Sequence, residues 1–241
     1  MELQRAWMLH SRPYKEQSVI AEFFVENHGR IAMVVRGVRK ARSAHAALLQ
    51  PFNSVLLSWQ GRSELKNLRS IEPLTRVRLA GNALYCGFYI NELLLRAMIP
   101  GQDIEGISEL YPSTIHQLAV LEGVPDPVLR RFELTLLQLT GYLPDLTVDT
   151  FTGKPVLSDQ CYGFQQEQGV FLIKDDIPVE VPPIARFSGE LLLALSRQDF
   201  NRPDYFSDYK RFVRQALQPI VGDRPLESRR LFQTSQKPVV S

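Results

Sequence analysis

The chain has 241 residues, of which 44% are hydrophobic and 22% charged, as is typical of a globular protein. It contains no run of 18 uninterrupted apolar residues, and residues 1–10 have neither a basic segment nor a long apolar stretch, so we expect no membrane span, no signal peptide and a cytoplasmic location. Residues 1–80 carry thirteen Lys and Arg against six Asp and Glu, whereas residues 81–241 carry fifteen against twenty. This asymmetry is typical of a protein that binds a polyanion with one part only.

Residues 3–79 alternate short β-branched and aromatic runs with turn residues. Five strands are predicted, at residues 3–10, 18–26, 30–36, 52–59 and 64–71. Turn signals at residues 28–29 and 60–62 predict two hairpins, one joining strands two and three and the other joining strands four and five. The longest connection, 37–51, contains a short helical pattern at 44–49. Five strands with a helix between the third and fourth predict an OB-fold barrel, which we assign to residues 1–80.

The pattern changes to helical spacing after Gly81, so the predicted class is α+β: a five-stranded barrel followed by a mainly helical domain. Helices are predicted at residues 84–99, 113–122, 127–140, 188–197 and 207–218. Asp126 is the predicted cap of the third helix, and Gly141 ends it. The predicted divisions are a first helical part at 81–145, a loop-rich insert at 146–183 with one strand at 170–173, a second helical part at 184–232 and a flexible tail at 233–241.

Motifs that carry catalysis are missing from the sequence, which has no phosphate-binding loop, dinucleotide fingerprint, nucleophile elbow or HExxH pair. The two cysteines, Cys86 and Cys161, are far apart and lack the CxxC spacing of a zinc site. We therefore expect no metal, no cofactor and no enzymatic activity. Cys86 is expected to be buried in a helix, and Cys161 is expected to be a loop thiol.

Basic residues are concentrated in and around the predicted barrel. Four cations occur within residues 36–42, and further cations and rings lie on the first connection, the last hairpin and the fifth strand. OB folds hold single strands with such a cationic surface and stacking rings, although a solvated basic loop is the simpler alternative. Most of the barrel's rings are expected to fill its core. The predicted nucleic-acid-binding residues are Arg12, Tyr14, Lys15, Arg36, Arg39, Lys40, Arg42, Trp59, Arg62, Lys66 and Arg69.

A second group of basic residues lies beside apolar stripes on two predicted helices. An apolar groove with a cationic rim suits a short acidic peptide with a hydrophobic end. The alternative is that these helices pack together and leave their charges in water. The predicted peptide-binding residues are Arg130, Arg131, Lys210, Arg211 and Arg214.

Seven motifs, in order along nearly the whole chain, resemble the RecO family of bacterial recombination mediators. The motifs are His10-Ser-Arg-Pro-Tyr-Lys-Glu16, His28-Gly-Arg30, Arg36-Gly-Val-Arg39, Leu49-Gln-Pro-Phe52, Tyr89-Ile-Asn-Glu-Leu-Leu94, Leu129-Arg-Arg-Phe-Glu-Leu134 and Pro225-Leu-Glu-Ser-Arg229. The resemblance implies a nucleoid-associated protein that binds single- and double-stranded DNA and anneals complementary strands. It also implies contact with the acidic tail of single-stranded-DNA-binding protein, and pairing with RecR to help RecA load.

The sequence departs from the family pattern at two places. Zinc-binding members have CxxC where this chain has Asp149-Thr-Phe-Thr152, and Glu227 lies in a stretch that is often more basic. The first departure argues against zinc, and the second against an anion-binding role at Glu227. Two alternative functions remain open at this point: a barrel-containing enzyme that acts on nucleic acid, and an RNA-binding module.

Overall fold

The structure is a computed structural model that describes residues 2–38, 44–173, 185–200 and 202–235. The chain forms two compact units. The first comprises residues up to Pro125 together with those from Arg224 onward, and the second comprises Asp126–Asp223. The chain therefore leaves the first unit once and returns to it near its end. The five-part division predicted from the sequence stays a prediction.

A closed five-stranded barrel occupies the start of the first unit, with the strand order β1-β2-β3-β5-β4. Its strands are β1 Gln4–Tyr14, β2 Ser18–Val25, β3 Gly29–Val35, β4 Ser54–Gln60 and β5 Lys66–Thr75. Both predicted hairpins are present, and a short parallel pairing of β3 with β5 closes the barrel. Helix α1, Ala44–Leu48, joins β3 to β4. The predicted OB-fold class is confirmed.

Alternate residues of the strands fill the barrel because successive side chains of a strand point to opposite faces. Phe23 and Met33 are fully buried in the interior, together with Val19, Val35 and Leu57. The rings Trp7 and Phe24 point out of the barrel instead. They stack with their centroids 5.3 Å apart and meet the edge of a buried tyrosine, Tyr111. As predicted, most rings of the barrel are core residues.

Two helices of the first unit pack beside the barrel, α2 at Gly81–Ala97 and α3 at Ile107–Val120. A buried polar chain links them to β1. Leu9 lies at an irregularity in the pairing of β1 with β2, and its carbonyl accepts a hydrogen bond from Asn91 Nδ2 at 2.8 Å. Asn91 Oδ1 accepts in turn from the Tyr111 hydroxyl, also at 2.8 Å. Cys86 is buried in α2, as predicted.

The turn between β2 and β3 is held against the loop that follows α2. Gly29 has a φ of +70°, and a Cβ there would lie 1.9 Å from the carbonyl oxygen of Gln102, so only glycine fits. The next residue, Arg30, donates to the Leu95 carbonyl and pairs with Glu22 at 3.7 Å. The His28-Gly-Arg30 motif therefore has a structural role in joining the barrel to the helices.

Helix α8, Ser228–Ser235, completes the first unit. Its first residues bind the Glu92 carboxylate of α2: the Glu227 and Ser228 amides donate at 3.0 and 2.9 Å, and the Ser228 hydroxyl at 2.7 Å. This helix was not predicted. The tail expected at 233–241 was wrong for its first three residues, which belong to α8, and the rest of it lies outside the described residues.

The second unit contains a three-stranded sheet and four helices within its described residues. Its elements are α4 Asp126–Leu139, β6 Cys161–Gln165, β7 Gly169–Leu172, β8 Arg186–Ser188, α5 Gly189–Ser196, α6 Phe206–Ala216 and α7 Gln218–Val221. Phe164, Phe187 and Phe212 pack their rings together beneath the sheet. Helix α4 begins at Asp126, so this residue lies in the first turn and not at the cap. Cys161 is exposed and lies on β6, so its assignment to a loop was wrong.

The turn at Asp149 organises the start of the insert. The Asp149 side chain is buried, and it accepts hydrogen bonds from the amides of Phe151 and Thr152 at 3.0 and 2.8 Å and from the Thr152 hydroxyl at 2.9 Å. A fourth bond, at 2.7 Å, comes from the Leu172 amide of β7. This carboxylate therefore ties the turn to the sheet.

Within the described ranges, no helix is both long and apolar enough to cross a lipid bilayer.

Candidate nucleic-acid interface

A row of paired residues crosses four neighbouring strands of the barrel. Arg12 of β1 pairs with Ile20 of β2, Ile20 with Val34 of β3, and Val34 with Asn67 of β5. Gln60 of β4 extends the row, since it pairs with Asn67. We call these five residues the register row. It runs across the strands, between the β1–β2 turn at one side and the β4–β5 turn at the other.

The register row lies on the outer surface of the barrel. Val19 and Ala21 flank Ile20 in sequence, and both belong to the interior cluster, as do the neighbours of Val34. Because side chains alternate along a strand, Ile20 and Val34 point away from the interior cluster, and the paired Arg12 shares their face. Of the three, Arg12 is exposed, Val34 is half-buried and Ile20 is buried. OB folds bind oligonucleotides across this part of the barrel, over strands two and three and between the two turns.

The predicted cations of the barrel that the structure describes lie on or near the register row. Arg12 belongs to it, Lys15 lies in the turn at one side and Arg62 in the turn at the other. Five of the six are exposed, and the sixth, Lys66 of β5, is half-buried. The six are Arg12, Lys15, Arg36, Arg62, Lys66 and Arg69.

These six cations have no carboxylate partner within 4.0 Å among the residues that the structure describes. Other arginines of the same unit differ: Arg30 pairs with Glu22, and Arg96 with Glu92. The cations at the barrel surface are therefore available to an external anion. Arg39, Lys40 and Arg42 lie outside the described residues, so their assignment stays a prediction.

The two rings assigned to this surface are both half-buried. Tyr14 ends β1, and the Lys15 ammonium lies 5.3 Å from the centre of its ring. Trp59 of β4 packs against the barrel core and meets the His28 ring edge-on, with the centroids 5.3 Å apart. Half-buried rings keep one part of the π surface in solvent, which is what stacking on a base needs. Their role in binding stays a prediction.

The second group of predicted residues lies on α4 and α6, which pack against each other in the second unit. Arg130 is buried and bound to Glu133 at 2.8 Å, and Arg211 pairs with Asp208 at 2.9 Å. Arg211 also donates to the Arg186 carbonyl at 2.7 Å. These two guanidinium groups are therefore engaged inside the unit.

The remaining residues of this group, Arg131, Lys210 and Arg214, are exposed. They have no carboxylate within 4.0 Å in the part of the chain that the structure describes. An acidic ligand would thus meet three available cations and two that are already paired. The assignment of the five to peptide binding stays a prediction.

Among the described residues, no three His, Cys, Asp or Glu side chains lie close enough together to hold a metal ion.

Comparison with known proteins gives two family profiles that divide the chain between them. Residues 1–77 match the profile "Recombination protein O N terminal", and residues 78–230 match "Recombination protein O C terminal". The chain belongs to the RecO family. The boundary between the two profiles falls just before α2.

Curated relatives carry the name "DNA repair protein RecO". The protein of Sodalis glossinidius (strain morsitans) is 40% identical over 232 residues, which are 95% of this chain and 86% of the relative. That of Proteus mirabilis (strain HI4320) is 38% identical over 95% of this chain and 91% of the relative. The protein of Cellvibrio japonicus (strain Ueda107) is 39% identical over 96% of this chain and 97% of the relative. This chain is thus a member of a family of DNA repair and recombination proteins.

Proposed function

We propose that this RecO-family chain is a non-catalytic mediator that binds single- and double-stranded DNA through its barrel and anneals complementary strands. Its second unit binds the acidic tail of single-stranded-DNA-binding protein, and with RecR the protein helps RecA load onto coated DNA. The protein works in the cytoplasm, in association with the nucleoid. The observation that carries the DNA-binding part is the set of six cations around the register row, which have no carboxylate partner within 4.0 Å among the described residues.

Binding of this kind is mainly electrostatic. Each Lys or Arg that neutralises a phosphate releases condensed counterions, so the affinity falls steeply as salt rises. Phosphate contacts carry no sequence information, which suits a protein that must bind any strand. The apolar residues of the register row are Ile20, which is buried, and Val34, which is half-buried, and neither presents a charged group to a bound strand.

Annealing follows from the same surface. Two complementary strands repel each other through their phosphates, and a cationic surface that binds both lowers this repulsion. Because the contacts go to the backbone, the base edges remain free to pair. A bound pair of strands then needs no energy source to become a duplex.

The DNA-binding proposal is tested by reversing two cations of the surface, Arg12→Glu with Arg36→Glu. Both side chains are exposed, so folding should persist. We expect a loss of about tenfold or more in affinity for single-stranded DNA, and a salt slope reduced by about 1.4 if each arginine neutralises one phosphate. Fluorescence anisotropy with a labelled oligonucleotide at several salt concentrations measures both quantities.

The matched control is Lys154→Glu with Arg197→Glu, which makes the same change in net charge at exposed positions of the second unit. Equal losses in the two double variants would refute the barrel as the DNA-binding surface. The same assay separates the other classes of function: tighter binding of RNA than of DNA would favour an RNA module, and turnover of ATP or of phosphodiester bonds would favour an enzyme.

The peptide part is supported by the exposed cations of α4 and α6 and is tested separately. Arg131→Glu should weaken binding of an acidic peptide that ends in Phe, because it removes an available cation. Affinity for DNA should change little. Arg197→Glu, on α5's C-terminal cap, is the control. Unchanged peptide affinity in both Arg131→Glu and Lys210→Glu would contradict this assignment.

A further inference from the structure

A pocket opens on the barrel surface where β3, β5, the end of β4 and α1 meet. Two arginines line it, Arg36 directly after β3 and Arg69 on β5, and His45 of α1 lines the same pocket. The pocket also includes Gln60 and Asn67, the two residues at the end of the register row, which lie opposite each other on β4 and β5. It is therefore a concave continuation of the cationic surface.

The charged residues of the pocket all favour an anion. Among the described residues, its lining contains two guanidinium groups and one imidazole and contains no carboxylate. Neither Arg36 nor Arg69 has a carboxylate partner within 4.0 Å among the described residues, and both are exposed. Two guanidinium groups that converge from neighbouring strands can each donate to a separate oxygen of one phosphate.

The neutral side chains of the pocket add a second kind of recognition. Gln60 and Asn67 each carry an amide donor and an amide acceptor, the combination that pairs with the edge of a base. Ser70 also lines the pocket, and its hydroxyl lies 2.6 Å from that of Ser58 on β4, which fixes this wall. A simple anion site would have no use for a pair of amides beside its cations.

We propose that this pocket is a subsite for one nucleotide of a single strand. Arg36 and Arg69 bind its phosphate, His45 donates to the same group, and Gln60 and Asn67 hydrogen-bond the base edge. The proposal rests on the proposed DNA-binding function and refines it. It assigns a defined site to one nucleotide, in place of sequence-tolerant backbone contacts alone.

The first experiment uses free deoxynucleoside monophosphates as probes of the full-length protein. We expect a deoxynucleoside monophosphate to compete with labelled single-stranded DNA at lower concentration than inorganic phosphate does, because only the nucleotide reaches the amides. Competition by the nucleotide at the same concentration as inorganic phosphate would overturn the nucleotide subsite. Failure of the protein to bind the labelled strand at all would instead refute the proposed function.

Variants locate the subsite. Arg69→Gln should weaken nucleotide binding roughly tenfold, since a charge-assisted hydrogen bond is lost. Arg76→Gln is the matched control because it removes the same charge from an exposed position directly after β5, outside the pocket lining and outside the predicted DNA-binding residues. Asn67→Ala keeps every charge and should reduce the advantage of the nucleotide over inorganic phosphate. Equal effects of Arg69→Gln and Arg76→Gln on nucleotide affinity would overturn the assignment.

Strand ends and internal nucleotides share this chemistry, and a third measurement separates them. Oligonucleotides of one sequence are compared with a 5′-phosphate, with a 5′-hydroxyl and as a closed circle. If the pocket binds an end, Arg69→Gln weakens the 5′-phosphorylated strand more than the circle. If it binds internal nucleotides, the variant weakens all three equally. A variant that weakens none of them contradicts the proposal.

Discussion

The Glu92 carboxylate illustrates how one side chain joins distant parts of the chain. It accepts hydrogen bonds from the Glu227 and Ser228 amides and from the Ser228 hydroxyl, and it pairs with Arg96 at 2.8 Å. Arg96 in turn donates to the Pro225 carbonyl at 2.9 Å. The free amides at the start of a helix favour a negative charge, so Glu92 stabilises α8 from outside that helix.

Replacing this carboxylate by an amide gives the first prediction. Glu92→Gln places an NH₂ group against donors and removes the charge, so we expect a loss of about 2 kcal/mol in the free energy of unfolding. Urea denaturation followed by circular dichroism measures it. Glu105→Gln, an exposed glutamate in the loop before α3, is the control and should change little. Equal stability of the two variants would be inconsistent with the assigned role of Glu92.

The same contacts predict a pH dependence. Burial raises the pKa of Glu92, but hydrogen bonds from Ser228, Glu227 and Arg96 outweigh it and lower the pKa below its usual value. A lowered folded-state pKa means that the stabilisation is complete above the unfolded pKa of about 4.3 and is lost as the pH falls through the folded value. The stability difference between wild type and Glu92→Gln should therefore shrink as the pH falls below about 4.3.

Asn91 gives a second prediction at the residue scale. Its amide binds both the Leu9 carbonyl and the Tyr111 hydroxyl, and all three groups are buried. Asn91→Leu leaves two buried polar groups without their partner and should lower the free energy of unfolding by about 2–4 kcal/mol. Tyr111→Phe removes only one hydrogen bond and should lower the free energy of unfolding by less. Thermal unfolding of both variants checks the order, and a reversed order would show that the Leu9 contact contributes little.

At the scale of elements, the insert depends on the Asp149 turn. Burial raises the pKa of Asp149, while the amides of Leu172, Thr152 and Phe151 lower it further than burial raises it. The carboxylate is therefore ionised in the folded state and binds four donors. We infer that Asp149 holds the turn to β7 through hydrogen bonds.

The prediction for this element is that Asp149→Asn lowers the stability of the second unit by about 2 kcal/mol, because charge-assisted hydrogen bonds are lost. Hydrogen exchange should rise first at the Thr152 and Leu172 amides. Asp159→Asn, an exposed aspartate in the same insert, is the control. Unchanged exchange at Leu172 in Asp149→Asn would refute the role of this carboxylate. The effect should vanish under acid, where the wild-type group is also protonated.

The elements that sequence patterns predicted are those specified by local signals. The hairpins follow from glycine turns, and α4 follows from an apolar stripe that ends at Gly141. Strand β6 was missed because Gly163 and flanking polar residues mask its alternation, and α8 because its start is stabilised by Glu92, 136 residues away in sequence. Local patterns carry no information on such partners.

The candidate site was predictable only in part, because local sequence patterns mark basic residues but not the distant residues that they meet in the fold. Basic residues near turns indicated Arg12, Arg36 and Arg69 without any knowledge of the strand order. The pocket was not predictable, since His45 and Asn67 meet only when β3 and β5 close the barrel in parallel. Likewise, spacing placed Arg130 on a cationic rim, whereas Glu133 binds it in the interior of the unit.

At the scale of the whole molecule, the first unit is discontinuous in sequence. Removing the residues from Arg224 onward takes away the Glu227 and Ser228 amides that bind Glu92 and the Pro225 carbonyl that binds Arg96. We expect faster hydrogen exchange in α2, with the exchange of α6 in the second unit unchanged. Glu227→Ala is the control, since it retains the backbone amide that Glu92 binds. Faster exchange in α6 alone would contradict the division into these two units.

The late return of the chain to its first unit has a consequence for biosynthesis. A ribosome completes the barrel and α2 well before it reaches Ser228, so Glu92 waits for its amide partners while 136 further residues are made. Until then α2 can pack on β1 and α3, and the contacts between α2 and α8 form as a late step in the folding of the first unit.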